Sequence, residues 1–167
     1  MKLATITAVF STVVPAAGGV HAPAPEAVFP VDGHADFGEA DARFGAPRYG
    51  HVHEGQDMFA AAGTPVRATR EGIVVEKGDD GGRGNYLAIW NARTRRTFVY
   101  LHMIRPSPRR KGERVGAGSR IGAVGCTGSC WGDHLHLEVR RGRGTTGAPS
   151  DPLGMLKRLA ARRGARE

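Results

Sequence analysis

The chain has 167 residues, 40% hydrophobic, with 24 Lys and Arg against 16 Asp and Glu, for a formal charge of +8. Without the leader read below, about 140 residues remain, which suits one domain and not two. Two cysteines cannot complete a four-cysteine zinc ribbon. The arginines are dispersed with no nucleic-acid-binding motif beside them, so nucleic acid is not an expected partner.

In chain order, Met1 and Lys2 precede an apolar run from Leu3 to about Ala17 and then small residues. This pattern predicts a signal peptide over 1–22, with a boundary between 19 and 27. The run is shorter than the roughly 20 apolar residues of a comfortable transmembrane helix, so no span is expected after processing; a retained anchor is the alternative. Residues 23–43, with Pro23, Pro25 and Pro30, read as an extended lead-in. Short β-type runs follow at 64–69, 72–77, 85–91, 96–102 and 134–140, punctuated by Gly, Asn, Asp and Pro. They predict a mainly β, antiparallel domain over 44–153. The stretches 79–84 and 106–112 read as loops and candidate groove rims. Asp151 as N-cap and Pro152 at the first helical position open a short packed helix carrying Leu153, Leu156, Leu159 and Ala160. Residues 154–167 are thus a short helix with a basic tail, and no internal repeat is present.

Four of the seven histidines fall in three motifs: His53 and Asp57 around Gly55, Tyr100 and His102, and His134 and His136. A divalent metal site needs two to four imidazoles or carboxylates converging on one point. In an extended strand i and i+2 share a face about 7 Å apart. His134, His136 and Glu138 therefore share one face, and Leu135, Leu137 and Val139 the other. A straight strand would hold His53 and Asp57 about 13 Å apart, so the chain must bend, and Gly55 allows it. The run 96–102 is β-branched and aromatic, and its alternation puts Phe98, Tyr100 and His102 on one face.

The ordered set H-x-G-x-D, Y-x-H and H-x-H resembles the M23 (lysostaphin/LytM-type) zinc metallopeptidases. Supporting context includes Gly63 to Val66, Glu71 to Val75, the glycines between Gly112 and Gly128, and Asp151-Pro152. The resemblance implies a single antiparallel β-sheet domain, with His53, Asp57 and His136 as ligands of one Zn2+ per chain. It implies that His102 and His134 are catalytic and not ligands, with their individual roles open. Two imidazoles and a carboxylate leave a fourth position for water, as in catalytic sites. Water activated there would attack an amide, and the paired histidines would move protons. The implied activity is an exported endopeptidase, secreted or in the cell envelope, acting as a monomer on stem peptides or cross-bridges of bacterial peptidoglycan. The positive charge would suit anionic wall polymers. The alternative is a non-catalytic LytM-like module that binds the wall and regulates amidases.

Around this core several residues keep two readings. Arg48 and Asn85 are groove candidates or ordinary loop residues, Tyr100 is core or groove edge, and Trp131 walls the groove or covers its loop. His51, two residues before His53, is a candidate to stand behind a ligand, and Glu138 reads as a solvated or structural carboxylate. The loop from Gly125 to Asp133 departs from the family pattern, carrying Cys126, Cys130, Trp131 and Asp133. In an exported protein Cys126 and Cys130 are expected to pair; so short a ring stabilises by only about 2 kcal/mol and would mainly shape the loop beside His134.

Overall fold

The structure, a computed structural model, describes residues 26–34 and 36–165. The expected signal peptide over 1–22 lies outside them. A 3-10 turn at Ala40–Ala42 is followed by β1 (Pro47–Arg48), β2 (His51–Val52), β3 (Gln56–Phe59), β4 (Pro65–Arg67), β5 (Gly72–Asp80) and β6 (Gly84–Asn91). Then come β7 (Arg96–Met103), β8 (Arg114–Val115), β9 (Arg120–Ala123), β10 (His134–Arg141), β11 (Pro149–Ser150) and helix α1 (Leu153–Gly164). The expectation of a mainly β, antiparallel domain ending in one helix is met.

The main sheet runs β11-β10-β7-β6-β5-β8, and β3 also pairs with β10. Strand β10 is the organising element. Its first half, from His134 to Leu137, lies against β3, its second half meets β11, and its other edge meets β7. The alternation read from the sequence holds along it: Leu135, Leu137 and Val139 enter the large core, while His134, His136 and Glu138 face the other way. The large core is covered by Val66 of β4, Ile121 of β9 and Leu156 and Leu159 of α1. The opposite face carries a smaller apolar cluster of Tyr86, Ala88, Val99 and Leu101, and beside it the histidines.

Residues of the lead-in pack into the domain. Phe29 and Val31 belong to the large core, and backbone bridges tie Val31 to Val66 and Asp36 to Phe59. The loop read at 79–84 is shorter than expected, a turn of Gly81 to Arg83 with strand on either side. Strand β5 runs on to Asp80, whose Oδ1 accepts the N–H groups of Gly82 and Arg83, and Gly84 restarts the chain at φ +57°. The turn is thus held by an aspartate side chain, a local bond that strand periodicity does not register. At α1, Asp151 Oδ1 accepts the Leu153 N–H at 2.8 Å, which satisfies one of the helix's unpaired donors.

Candidate metal centre

Pairing of β3 with β10 sets Asp57 directly opposite His136. The bend at Gly55 brings His53 back to the same point. A Cβ at position 55 would lie 2.5 Å from Leu137 O and 2.6 Å from His136 Nε2, so only glycine fits there. His53 Nε2, Asp57 Oδ1 and His136 Nδ1 form a triangle with edges of 3.1, 2.9 and 2.8 Å, and all three residues are buried. A tetrahedral ion with bonds of about 2.0–2.2 Å spaces its ligands about 3.3–3.6 Å apart. The donors reach that spacing by moving outward a few tenths of an ångström. Two imidazole nitrogens and one carboxylate oxygen in this arrangement fit zinc.

Each donor is fixed from behind. His53 Nδ1 donates to Arg43 O at 2.8 Å, which leaves Nε2 with a free lone pair. His136 Nε2 lies 3.4 Å from Glu138 Oε1, long for a hydrogen bond but within ion-pair reach. Glu138 is buried, so it is not the solvated carboxylate that was one of its two readings. Its other oxygen is held by Arg140, which also contacts Glu54. A carboxylate behind a metal-binding imidazole fixes the ring and raises its basicity. The same interactions are visible as pKa shifts in the metal-free site. Burial alone would lower His136, but Asp57 and Glu138 outweigh it and raise the imidazole to about 9. Burial would raise Glu138, yet His136 and Arg140 hold it down to about 2. Asp57 likewise falls well below the ordinary carboxylate range, because the neighbouring imidazoles of His136 and His53 outweigh its burial.

His102 and His134 join the same pocket, with ring centroids 4.8 Å apart. His134 arrives on the strand face shared with His136. His102 arrives differently from the sequence reading, which put it on the face of Phe98 and Tyr100. Those two residues and Met103 enter the large core, whereas His102 stands against His134 and His136 on the other side. The ladder between β6 and β7 is irregular here, and His102 adopts φ +63°. One extra residue in β7 turns the imidazole out of the core and into the site. Such a conformation is uncommon for a residue with a side chain. Burial is the largest influence on His102 and lowers it to about 4, against the upward pull of its bond to Thr127 O.

The remaining candidates separate. Arg48 stands at the site, half-buried, with Nη2 3.6 Å from Asp57 Oδ2 and a hydrogen bond to Asp41 O. Tyr100 is not at the groove edge: it is fully buried, and its hydroxyl accepts the Thr69 N–H at 2.8 Å. Asn85 is also buried rather than exposed in a groove, with its amide donating to Met103 O. Trp131 is 94% exposed on the loop before His134. Cys126 and Cys130 form a disulfide in that loop. His51 is exposed, and its Nδ1 lies 3.1 Å from Tyr49 O. Sequence reasoning passed over Glu54 and Arg140, although the alternation that grouped His134, His136 and Glu138 extends to Arg140. It also missed Tyr49, fully exposed on the hairpin next to Arg48.

A three-donor centre with two further histidines, set on an antiparallel sheet, defines a metallopeptidase-type site. Residues 51–152 match the sequence profile of Peptidase family M23, and the chain belongs to that family. It is 38% identical over 104 residues to the DD-carboxypeptidase/endopeptidase Mpg of Neisseria meningitidis, covering 62% of this chain and 23% of that protein. It is 40% identical over 92 residues to the peptidoglycan DD-endopeptidase ShyA of Vibrio cholerae, covering 54% and 21%. The chain thus spans less than a quarter of the length of these two relatives. Its fold is similar to the catalytic domain of lysostaphin from Staphylococcus simulans, with a TM-score of 0.63 and 30% identity over 72% of this chain and 90% of that one. Among the described residues no helix is long and apolar enough to cross a membrane.

Proposed function

We propose that the protein is an exported, monomeric zinc endopeptidase that hydrolyses peptide bonds in the stem peptides or cross-bridges of peptidoglycan. The observation that carries this reading is the convergence of His53, Asp57 and His136 within 3.1 Å of one another beside two further imidazoles. A zinc ion held by those three residues would supply the Lewis acidity that activates water and polarises an amide carbonyl. The chain's own part in the reaction is proton movement and orientation. His102 and His134 each donate Nδ1–H to a backbone carbonyl, at 2.8 Å in both cases. Each therefore keeps an unprotonated Nε2, the form that accepts a proton from water and later returns it to the leaving amine. Low basicity keeps His102 neutral near pH 7. Arg48, 3.6 Å from the second Asp57 oxygen, stands beside the site as a cation for a substrate carboxylate, and exposed Trp131 offers a flat apolar wall for the substrate strand. The net positive charge favours a wall carrying peptide carboxylates and anionic polymers. The substrate class follows the similarity to the peptidoglycan DD-endopeptidase ShyA.

The complete donor set favours an enzyme over a non-catalytic wall-binding module. Release of new amino groups from purified peptidoglycan by the zinc-loaded protein tests this. We expect release by the parent, loss of release with retention of zinc in His134→Ala, and loss of both in His136→Ala. A zinc-loaded parent that binds the wall and releases no amine would make the protein a binding module.

A further inference from the structure

The loop from Cys126 to Asp133 touches both non-ligand histidines, and it does so with two different carbonyls. Thr127 O accepts from His102 Nδ1 at 2.8 Å, and Gly132 O accepts from His134 Nδ1 at 2.8 Å. These two carbonyls are anchored by separate means. Thr127 is gripped by the sheet: its Oγ1 accepts the Asn85 N–H at 2.9 Å and donates to Met103 O, the residue after His102, at 2.9 Å. The backbones of Gly84 and Gly128 pack so closely that a Cβ on Gly128 would lie 2.3 Å from Gly84 N. Ser129 N–H donates to Gly82 O at 3.0 Å, fastening the loop to the β5–β6 turn. Gly132 has no such grip. Its N–H points at Cys126 Sγ at 3.2 Å, and its chain is led back to that point by the bond between Cys126 and Cys130. Next to it Trp131 stands 94% exposed and contributes little packing.

We infer that this loop is a two-point orienting device, in which Thr127 and its sheet contacts set the ring of His102 while the Cys126–Cys130 disulfide, through Gly132, sets the ring of His134. Thr127 and the cystine are positioning residues, and the inference rests on the proposed catalytic roles of the two histidines. A carbonyl can only accept, so each contact selects the Nδ1–H tautomer and keeps Nε2 available as a base. Loss of either anchor lets one ring exchange tautomers and shift its Nε2, while packing against Phe59 for His134 and against the neighbouring imidazoles for His102 keeps the ring in the site. Loss of orientation of a reacting group by about 1 Å costs on the order of a hundredfold in rate.

The test compares the parent protein with the double variant Cys126→Ser/Cys130→Ser and with Thr127→Val. The measurements are zinc content, kcat and KM for amine release from peptidoglycan, and imidazole nitrogen chemical shifts by NMR. The double variant is expected to keep its zinc and KM and to lose about ten- to a hundredfold in kcat, with the His134 nitrogens moving toward a mixture of tautomers and those of His102 unchanged. Thr127→Val is expected to show the reverse pattern, with His102 altered and His134 retained. Parent-like kcat and ring shifts in the double variant overturn the inference, as does loss of zinc from it, since neither anchor touches a ligand. Should the double variant not fold, Thr127→Val decides alone: altered His134 or unaltered His102 overturns the two-point assignment. A parent that releases no amine refutes the proposed function instead, and the ring shifts still judge the orientation of each histidine.

Discussion

The three candidate metal donors and the two remaining histidines occupy one pocket but are built by different means. His53, Asp57 and His136 sit on or beside paired strands, and behind them stand a backbone carbonyl and the buried Glu138, with Arg140 and the half-exposed Glu54 beyond it. Their placement depends on register, because β3 against β10 puts Asp57 opposite His136. His102 and His134 instead take their orientation from a loop, through Thr127 and Gly132. If the proposed roles hold, the difference teaches that metal affinity and proton transfer are separately adjustable here. Charge and close packing govern the first, loop geometry the second.

The most severe way to break that division is at Gly55. In Gly55→Ala the new methyl meets Leu137 O and His136 Nε2 at sub-van-der-Waals distance. Neither a strand backbone nor a ligand ring can give way without opening the β3–β10 register. Overpacking of this kind costs about 1–3 kcal/mol in stability, and the displaced imidazole no longer meets the other two donors. Purified Gly55→Ala is expected to contain no stoichiometric zinc by metal analysis and to release no amines. Full zinc content would show that the donors tolerate a shift in register.

Next in size is the carboxylate behind His136. Glu138→Gln keeps the shape but removes the charge that holds the His136 ring and raises its basicity. A change in such an outer partner typically costs 10–100-fold in metal affinity, and that is the loss expected in a competition titration against a chromophoric chelator. If the division is real, the ring tautomers of His102 and His134 stay as in the parent. Unchanged affinity would reduce Glu138 to a packing role.

Acid and alkali should act on opposite members of the pocket in the metal-free protein. His136 is raised to about 9, so its contribution to stability is full below about 6.5 and is lost as pH rises through 9. His102 is lowered to about 4, so the fold disfavours its protonation, and stability is lost as pH falls from about 6.5 through 4. Thermal unfolding of the metal-free protein is expected to show both limbs. His136→Asn should abolish the alkaline limb and leave the acid one. Since His136 is protonated near pH 7 without metal, zinc uptake should release about one proton, measurable by calorimetry in buffers of different ionisation enthalpy.

How far the site was legible in the sequence follows from which forces made it. The face shared by His134, His136 and Glu138 follows from period-two alternation, and the bend between His53 and Asp57 follows from their separation and from Gly55. The side taken by His102 did not follow, because alternation assigns it to the face of Tyr100. Only an irregular ladder against β6 and a left-handed residue reverse it, and these arise from pairing between strands rather than from local composition. The strands β1, β2, β8 and β11 are two residues long, too short for any period to show. Backbone carbonyls that orient the rings, at Arg43, Thr127 and Gly132, leave no mark in side-chain chemistry. The loop at 79–84 is narrower than its composition suggests, because glycines and aspartates serve equally well in a turn and in the strand ends beside it.

The mildest change tests whether the two faces of the sheet are independent. Tyr100 lies two residues before His102, yet its ring is in the large core and its hydroxyl accepts the Thr69 N–H. Burial raises its phenol to about 12, so it stays protonated across the working range. Tyr100→Phe preserves the ring packing and leaves one buried donor without its partner, a loss of about 1–3 kcal/mol. Denaturant unfolding should register that loss, while zinc affinity and amine release remain at parental values. A fall in kcat at unchanged zinc content would mean that the bulge carrying His102 is held from the core side as well as by Thr127, because the strand that buries Tyr100 also sets where that bulge begins.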